Sequence, residues 1–226
     1  MKVIRNVNET LKDDLALELQ KGSMLSIVAA DFSMYAFEAL RKELSEIEEL
    51  RFIFTDPTFI QKENSKKEKR EFYIPKINRE RRIYGTEFEV KLRNELNQKA
   101  IAKECAEWIK KKVTFKSNVG NKEITDRFIV LNDIAYYTVN SFTTVDLGCE
   151  QGNNMGVNIL KLESPASQAF IEQFAKLWQN EEELKDVTNN VISSISSAYN
   201  ENAPEFIYFV TLYNIFHEFL TDISED

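Results

Sequence analysis

Residues 126–148 read DRFIVLNDIAYYTVNSFTTVDLG, and this stretch decides the predicted fold. It contains two short runs of aliphatic and aromatic residues, Phe128–Leu131 and Ile134–Val139. Asn132 and Asp133 stand between the two runs, and such residues favour a tight turn between antiparallel strands. We therefore predict a β-hairpin at this place in the chain.

The spacing of polar residues in the same stretch resembles the second half of a phospholipase D-like domain. The signature of that family is His-x-Lys, four residues, Asp, six residues, and then Gly-Ser or another small pair. Asp133 fits the Asp of the signature, and Asn140 and Ser141 follow it at the spacing of the small pair. A second register instead matches Ser141-Phe142-Thr143 to the Asn-Phe-Thr segment of the family. Both registers place small polar residues where the chain leaves the sheet and lines a pocket.

The two catalytic residue types of that signature are absent. Counting back from Asp133 puts Asp126 at the position of the histidine and Phe128 at the position of the lysine. In the family, the imidazole attacks phosphorus and the lysine offsets phosphate charge. The resemblance therefore implies a non-enzyme that keeps the shape without the reaction, with no catalytic residue, metal or cofactor. The residues predicted to line the degenerate pocket are Asp126, Phe128, Asp133, Asn140, Ser141 and Thr143.

The N-terminal part of the chain favours an α/β class. The nearly unbroken apolar run at 24–33 predicts a central strand covered on both faces. A helix at about 34–50 and a second strand at 51–56 follow it. This unit is also similar to the opening of a phospholipase D-like half, so we predict a mixed sheet.

Two regions are predicted from this pattern. Residues 1–162 form the degenerate phospholipase D-like domain, which carries a basic insertion at 57–86. Residues 163–226 form a C-terminal layer of about three helices packed on that domain. These helices are expected from Ser164, from about residue 181 to 199, and from Pro204 to Ile223.

The net charge of −8 is unevenly distributed along the chain. Residues 1–60 carry a net −4 and residues 123–226 a net −13, whereas residues 61–122 contain 18 basic and 9 acidic side chains. A basic segment in an otherwise acidic protein indicates an anionic partner for that segment.

The basic insertion interleaves cations with aromatic rings, as a surface that follows a nucleic-acid backbone and stacks on bases does. A solvated loop is the alternative, because four glutamates dilute the positive charge. The residues predicted to contact nucleic acid are Lys66, Lys67, Lys69, Arg70, Arg79, Arg81 and Arg82, together with Phe72 and Tyr73.

Other features of composition favour a reduced cytoplasmic protein. No apolar run approaches the length of a membrane span, and the N-terminal residues lack the apolar core of a secretory signal. Cys105 and Cys149 are the two cysteines and are not arranged as Cys-x-x-Cys. His217, the single histidine, lies among aromatic residues and is interpreted as a packing residue.

Several phrases of the sequence are similar to the N-terminal region of large bacterial Swi/Snf-type helicases of superfamily two, which carry a degenerate phospholipase D-like domain. The phrases are Leu50–Phe59, Lys69–Pro75, Ile101–Ile109, Phe142–Gly148 and Asn202–Asp226. The Gly-Lys-Thr loop and the acidic metal-binding motif of an ATPase motor are absent. The resemblance implies an ATP-dependent parent protein, in which Asp222–Asp226 would be a truncation point or a linker just before the motor.

We therefore predict a non-catalytic accessory domain of a helicase-like ATPase that positions DNA or a protein partner. One alternative is a metal-assisted phosphodiesterase or nuclease whose rearranged site uses Asp126, Asp133 and Asp146. Another alternative is a module for dimerisation or protein interaction, since a lone half of this family could form a homodimer.

Overall fold

The computed structural model describes residues 1–7, 9–56, 95–119, 124–149 and 158–197. Eight strands in these ranges form one mixed sheet. The strands are β1 (Lys2–Ile4), β2 (Met24–Ala29), β3 (Glu49–Phe54), β4 (Val113–Asn118), β5 (Phe128–Leu131), β6 (Ile134–Tyr137), β7 (Ile159–Leu162) and β8 (Leu184–Asp186). The helices described are α1 (Leu11–Glu18), α2 (Met34–Ala39), α3 (Arg41–Glu46), α4 (Glu95–Lys112), α5 (Gln168–Trp178) and α6 (Thr188–Ser197).

The strand order is β1-β7-β6-β5-β2-β3-β4-β8. Strands β2, β3 and β4 are parallel, and every other neighbouring pair is antiparallel. Helical connections explain the parallel part, because α2 and α3 link β2 to β3 and α4 leads directly into β4. The parallel strands therefore end together at one edge of the sheet, which we call the carboxyl edge.

The two faces of the sheet pack against different helices. Ile27, Phe52 and Ile129 belong to the larger core, which α1, α2, α3, α4 and α6 cover. The alternate residues of the same strands, such as Val28 and Ile53, form a smaller core with α5. Alternation of this kind follows from the two-residue period of a strand. We call the second surface the α5 face.

The predicted mixed α/β class and the hairpin are confirmed. Leu131 pairs with Ile134 across the turn, and Asn132 adopts a left-handed φ of 53°. The predicted helix at 34–50 is instead two short helices, interrupted at Leu40, and β3 already begins at Glu49.

The C-terminal region differs more from the prediction. Residues 184–186, expected within a helix, form β8 because they pair with the free edge of β4, and tertiary pairing overrides helix propensity. Helices α5 and α6 lie on opposite faces of the sheet, so this region contributes a strand as well as helices. The third predicted helix and the insertion at 57–86 lie outside the described residues.

Candidate functional site

Small polar residues follow the parallel strands at the carboxyl edge. Asp31 comes after β2, Thr55 after β3, and Ser117 and Asn118 end β4. Strand β5 runs antiparallel to β2, and Val28 pairs with Phe128, so the chain enters β5 from this edge. The carboxyl ends of parallel strands are the usual place for ligands in open α/β sheets.

The segment after β6 returns to the same edge and forms what we call the site loop, residues 140–148. Three backbone hydrogen bonds of 2.8–3.0 Å pair the start of this loop with residues 30–33. The hydroxyl of Ser141 donates to Oδ2 of Asp31 at 2.9 Å, and the Phe142 ring stacks on Phe32. Chain pairing and packing thus hold Ser141 directly beside the end of β2.

The far half of the site loop is closed by its own hydrogen bonds. The hydroxyl of Thr143 donates to Oδ2 of Asp146 at 2.8 Å, and the Asp146 backbone N–H donates back to Thr143 Oγ1 at 3.2 Å. The N–H of Leu147 donates to the carbonyl of Thr143 at 2.9 Å. Asp146 therefore serves the loop as a turn residue.

Thr138, just before the site loop, has a left-handed backbone with φ of 66°. This conformation is strained for a β-branched residue and needs support from its surroundings. Its hydroxyl donates to the carbonyl of Asn158 at 2.6 Å, next to β7. Strain of this kind is concentrated at functional sites, and here it redirects the chain from β6 into the loop.

Buried polar groups beside the loop were not singled out from the sequence. Asn118 Nδ2 donates to the Thr55 carbonyl at 3.2 Å, and the Ser117 hydroxyl donates to the Asp56 carbonyl at 3.2 Å. Thr55 is only 2% exposed, and its hydroxyl has no hydrogen-bond partner in the described part of the chain. Their signal in the sequence is the change from apolar to polar residues at the end of each strand.

Asp126 and Phe128, both predicted to line the degenerate pocket, lie against the α5 face. The Gln173 side chain of α5 donates to Asp126 Oδ2 at 2.9 Å. The Phe128 ring is fully buried and packs edge-on against Phe170 at 5.3 Å between centroids. Helix α5 therefore occupies the space into which a histidine and a lysine at these positions would project.

Asp133 lies apart from the small polar residues of the predicted pocket, as Phe128 does on the α5 face. It is exposed in the hairpin turn, where Asn132 bonds the first residue of β2, at the edge opposite the carboxyl edge. The length of β5 separates it from Asp126 by roughly 20 Å. Asp126, Asp133 and Asp146 thus do not converge, and no group of three His, Cys, Asp or Glu residues within the described ranges could hold a metal ion.

The predicted nucleic-acid contacts at 66–82 lie outside the described residues. Asp56, which follows β3 at the carboxyl edge, is the last described residue before them. Helix α4 ends directly at the start of β4. Residues 57–94 contain 11 Lys and Arg and 6 Glu.

A buried ionic cluster fixes α1 to the sheet. Asp14 of α1 accepts hydrogen bonds from Lys161 at 2.7 Å, Tyr136 at 2.7 Å and Lys2 at 2.8 Å, and Lys161 also pairs with Glu18. Burial alone would raise the pKa of Asp14, but these three donors together lower it below its usual value. Burial and the bond to Asp14 raise the pKa of Tyr136, so its hydroxyl stays a donor.

Comparison with known proteins finds distant similarity among solved structures. No protein-family model matches the chain, and no curated protein matches it. Among solved structures, the chain is similar to the phosphatidylserine synthase of Haemophilus influenzae Rd KW20, with 13% sequence identity and a TM-score of 0.45. The match covers 82% of this chain and 38% of that chain, so the chain spans less than half of that structure. A similarity this weak does not indicate a shared activity.

Within the described ranges, no helix combines the length and the apolar character needed to cross a bilayer.

Proposed function

We propose that this chain is a non-catalytic binding module with the shape of a phospholipase D-like half, and that it binds nucleic acid at the carboxyl edge. The observation that carries the proposal is the environment of the two degenerate motif positions. Asp126 is bonded to Gln173, and Phe128 is sealed under Phe170. Both positions serve the packing of α5, whereas catalysis would need an accessible nucleophile and a cation.

The place of binding is inferred from the point at which the described chain leads into the basic segment. Asp56, the last described residue before the basic segment, follows β3 at the carboxyl edge, where the site loop and the carboxylate of Asp31 also lie. A polyanion needs cations near its phosphates, and Lys69, Arg70, Arg81 and Arg82 are our choice to supply them. In this arrangement the insertion holds the backbone, and the carboxyl edge meets the sugar or base side.

The wider setting of the proposal is an accessory role beside a helicase-like motor. The sequence phrases that resemble Swi/Snf-type helicases are its support. In that setting the module positions DNA for a motor that follows in the parent protein, and it performs neither ATP hydrolysis nor strand cleavage itself.

A charge-reversal experiment tests the binding site. Fluorescence anisotropy of labelled single- and double-stranded 20-nucleotide DNA at low salt would be compared for the wild type and for a variant with Glu at Lys69, Arg70, Arg81 and Arg82. We expect the variant to bind at least about tenfold more weakly and to show a shallower salt dependence, because fewer counterions are released.

The matched control changes net charge by the same amount elsewhere. Glu replaces four exposed lysines outside the insertion, Lys21, Lys42, Lys103 and Lys111. The control should keep most of the affinity. Equal weakening in both variants would show that only net charge matters, and absence of DNA binding by the wild type would favour a protein-interaction module instead.

A further inference from the structure

Asn6 joins two distant parts of the chain through one side chain. It lies between β1 and α1 with a left-handed φ of 53°. Its Oδ1 accepts from the Leu11 N–H at the start of α1, and its Nδ2 donates to the Asp146 carbonyl in the site loop, both at 2.8 Å. The same amide therefore bonds the backbone both at the start of α1 and in the site loop.

The end of the site loop packs directly on this amide. Gly148 has a φ of 78°, and a Cβ at that position would lie 2.6 Å from Cγ of Asn6. The Lys12 N–H donates to the Leu147 carbonyl at 2.9 Å, which adds a backbone contact beside the amide. Glycine is required at 148 both for its backbone conformation and for the close approach.

The helix on which the loop rests is itself fixed. Thr10 and Asp13 form a capping box at the start of α1. Asp14, one turn further on, is held by Lys161 of β7 and Tyr136 of β6. The position of α1 relative to the sheet is therefore well defined. The side chain of Asn6 connects the start of this helix to the site loop.

We propose that Asn6 is a positioning residue for ligand binding: through the Asp146 carbonyl it holds the site loop in the one arrangement that a nucleic-acid ligand meets at the carboxyl edge. The inference rests on the proposed function, because it assumes that the ligand meets the carboxyl edge. Asn6 itself does not touch the ligand.

The variant Asn6→Asp tests this role with little change in shape. The carboxylate still accepts from the Leu11 N–H and tolerates the left-handed backbone, but it cannot donate to the Asp146 carbonyl. We expect amide hydrogen exchange to accelerate at least about fivefold in peptides covering 140–148, the effect of one lost hydrogen bond, with unchanged protection in β2 and β3. DNA affinity should fall by about threefold or more in the same protein.

A matched control exists at the opposite edge of the sheet. Asn132 has the same φ of 53°, and its side chain bonds the Met24 N–H at 3.0 Å and the Ser23 hydroxyl at 3.3 Å. The variant Asn132→Asp repeats the chemical change away from the site loop. It should leave DNA affinity and exchange at 140–148 unchanged.

The contact with Gly148 gives a second, independent test. Gly148→Ala should accelerate exchange in the loop, because the new methyl group meets the Asn6 side chain. Adding Asn6→Gly removes that obstacle, so the double variant should be less perturbed than the two single effects combined. Additive effects would show that residues 6 and 148 do not act through contact and would overturn the proposal.

The outcomes separate this inference from the proposed function. If Asn6→Asp loosens the loop and DNA affinity stays at the wild-type value, Asn6 does not position the loop for the ligand, although the module still binds DNA. If the wild type binds no DNA, the proposed function fails, and the positioning role fails with it. If both the loop and the affinity change while Asn132→Asp has no effect, the inference is supported.

Discussion

Replacing Asp14 with asparagine should strongly destabilise the fold, although the two side chains have nearly the same shape. The side chain of Asp14 is 3% exposed and that of Lys161 is 8% exposed, and they are joined by a 2.7 Å ion pair. An amide cannot balance the lysine charge, and its NH2 group would face an ammonium. The change therefore leaves a nearly buried cation without its main partner.

The size of the effect follows from the contacts that remain. Breaking a buried ion pair by removing one partner costs about 3–5 kcal/mol. Lys161 keeps its bond to Glu18, so we expect the lower end, about 3 kcal/mol. For a chain of this size, that loss lowers the melting temperature by roughly 6–12 °C. Removing both charges, with leucine at 14 and methionine at 161, should cost less than Asp14→Asn alone.

The difference in stability between the wild type and Asp14→Asn should depend on pH in a definite direction. The folded pKa of Asp14 is lowered, so its stabilisation is fully present above the unfolded value of about 4 and is lost as pH falls through the folded pKa. Thermal unfolding followed by circular dichroism should therefore show a large difference between wild type and Asp14→Asn at pH 7 that shrinks in acid. The control Arg41→Met, which breaks an exposed pair with Glu104, should change little.

The reasoning would be refuted if Asp14→Asn had the same melting temperature as the control Arg41→Met at pH 7. It would mean that the cluster around α1 is hydrated enough for the ion pair to contribute no net stability.

Three further predictions follow from burial. Cys149 is exposed and Cys105 is fully buried with a pKa raised by desolvation, so a thiol reagent should label Cys149 in the native protein and Cys105 only after unfolding; equal labelling rates would contradict this. Phe128→Ala should lower the free energy of unfolding in urea by about 3–5 kcal/mol, because α5 packs on the ring, and Phe128→Leu should lower it by less than about 1.5 kcal/mol. A small loss of stability in the alanine variant would show that α5 does not pack on Phe128. Asp133→Asn should change neither stability, beyond about 0.5 kcal/mol, nor DNA binding, since its side chain is exposed at the far edge; a loss of affinity would place the ligand in the hairpin turn.

The parts of the fold that could be predicted are those that depend on residues close together in the sequence. Examples are the apolar run of β2 and the hairpin of β5 and β6, and both elements are present in the structure. The short strands Lys2–Ile4 and Leu184–Asp186 have no such signal, because their pairing is decided by the strand edges they meet. Tertiary contact determines structure of this kind.

The small polar segment after β6 could be predicted from the sequence, whereas the contacts that support it could not. Asn140, Ser141 and Thr143 do lie together at the carboxyl edge, where the spacing suggested a pocket. The supports join residues more than 100 positions apart, as Asn6 to Asp146, and a single sequence carries no signal for such a pair. Phe128 shows the same limit, since a single sequence does not indicate that Phe170 covers its ring.

The most direct test of the account is one gel assay that measures both binding and cleavage. Labelled single- and double-stranded DNA would be incubated with the protein in the presence of chelator, magnesium or manganese, and one half of each sample would be run native and the other denatured. We predict a retarded complex in the native gel at low salt and intact strands in the denaturing gel under every condition. Metal-dependent shortening of the strands, lost in the variant Asp126→Asn, would contradict the claim that this scaffold holds its partner without cutting it.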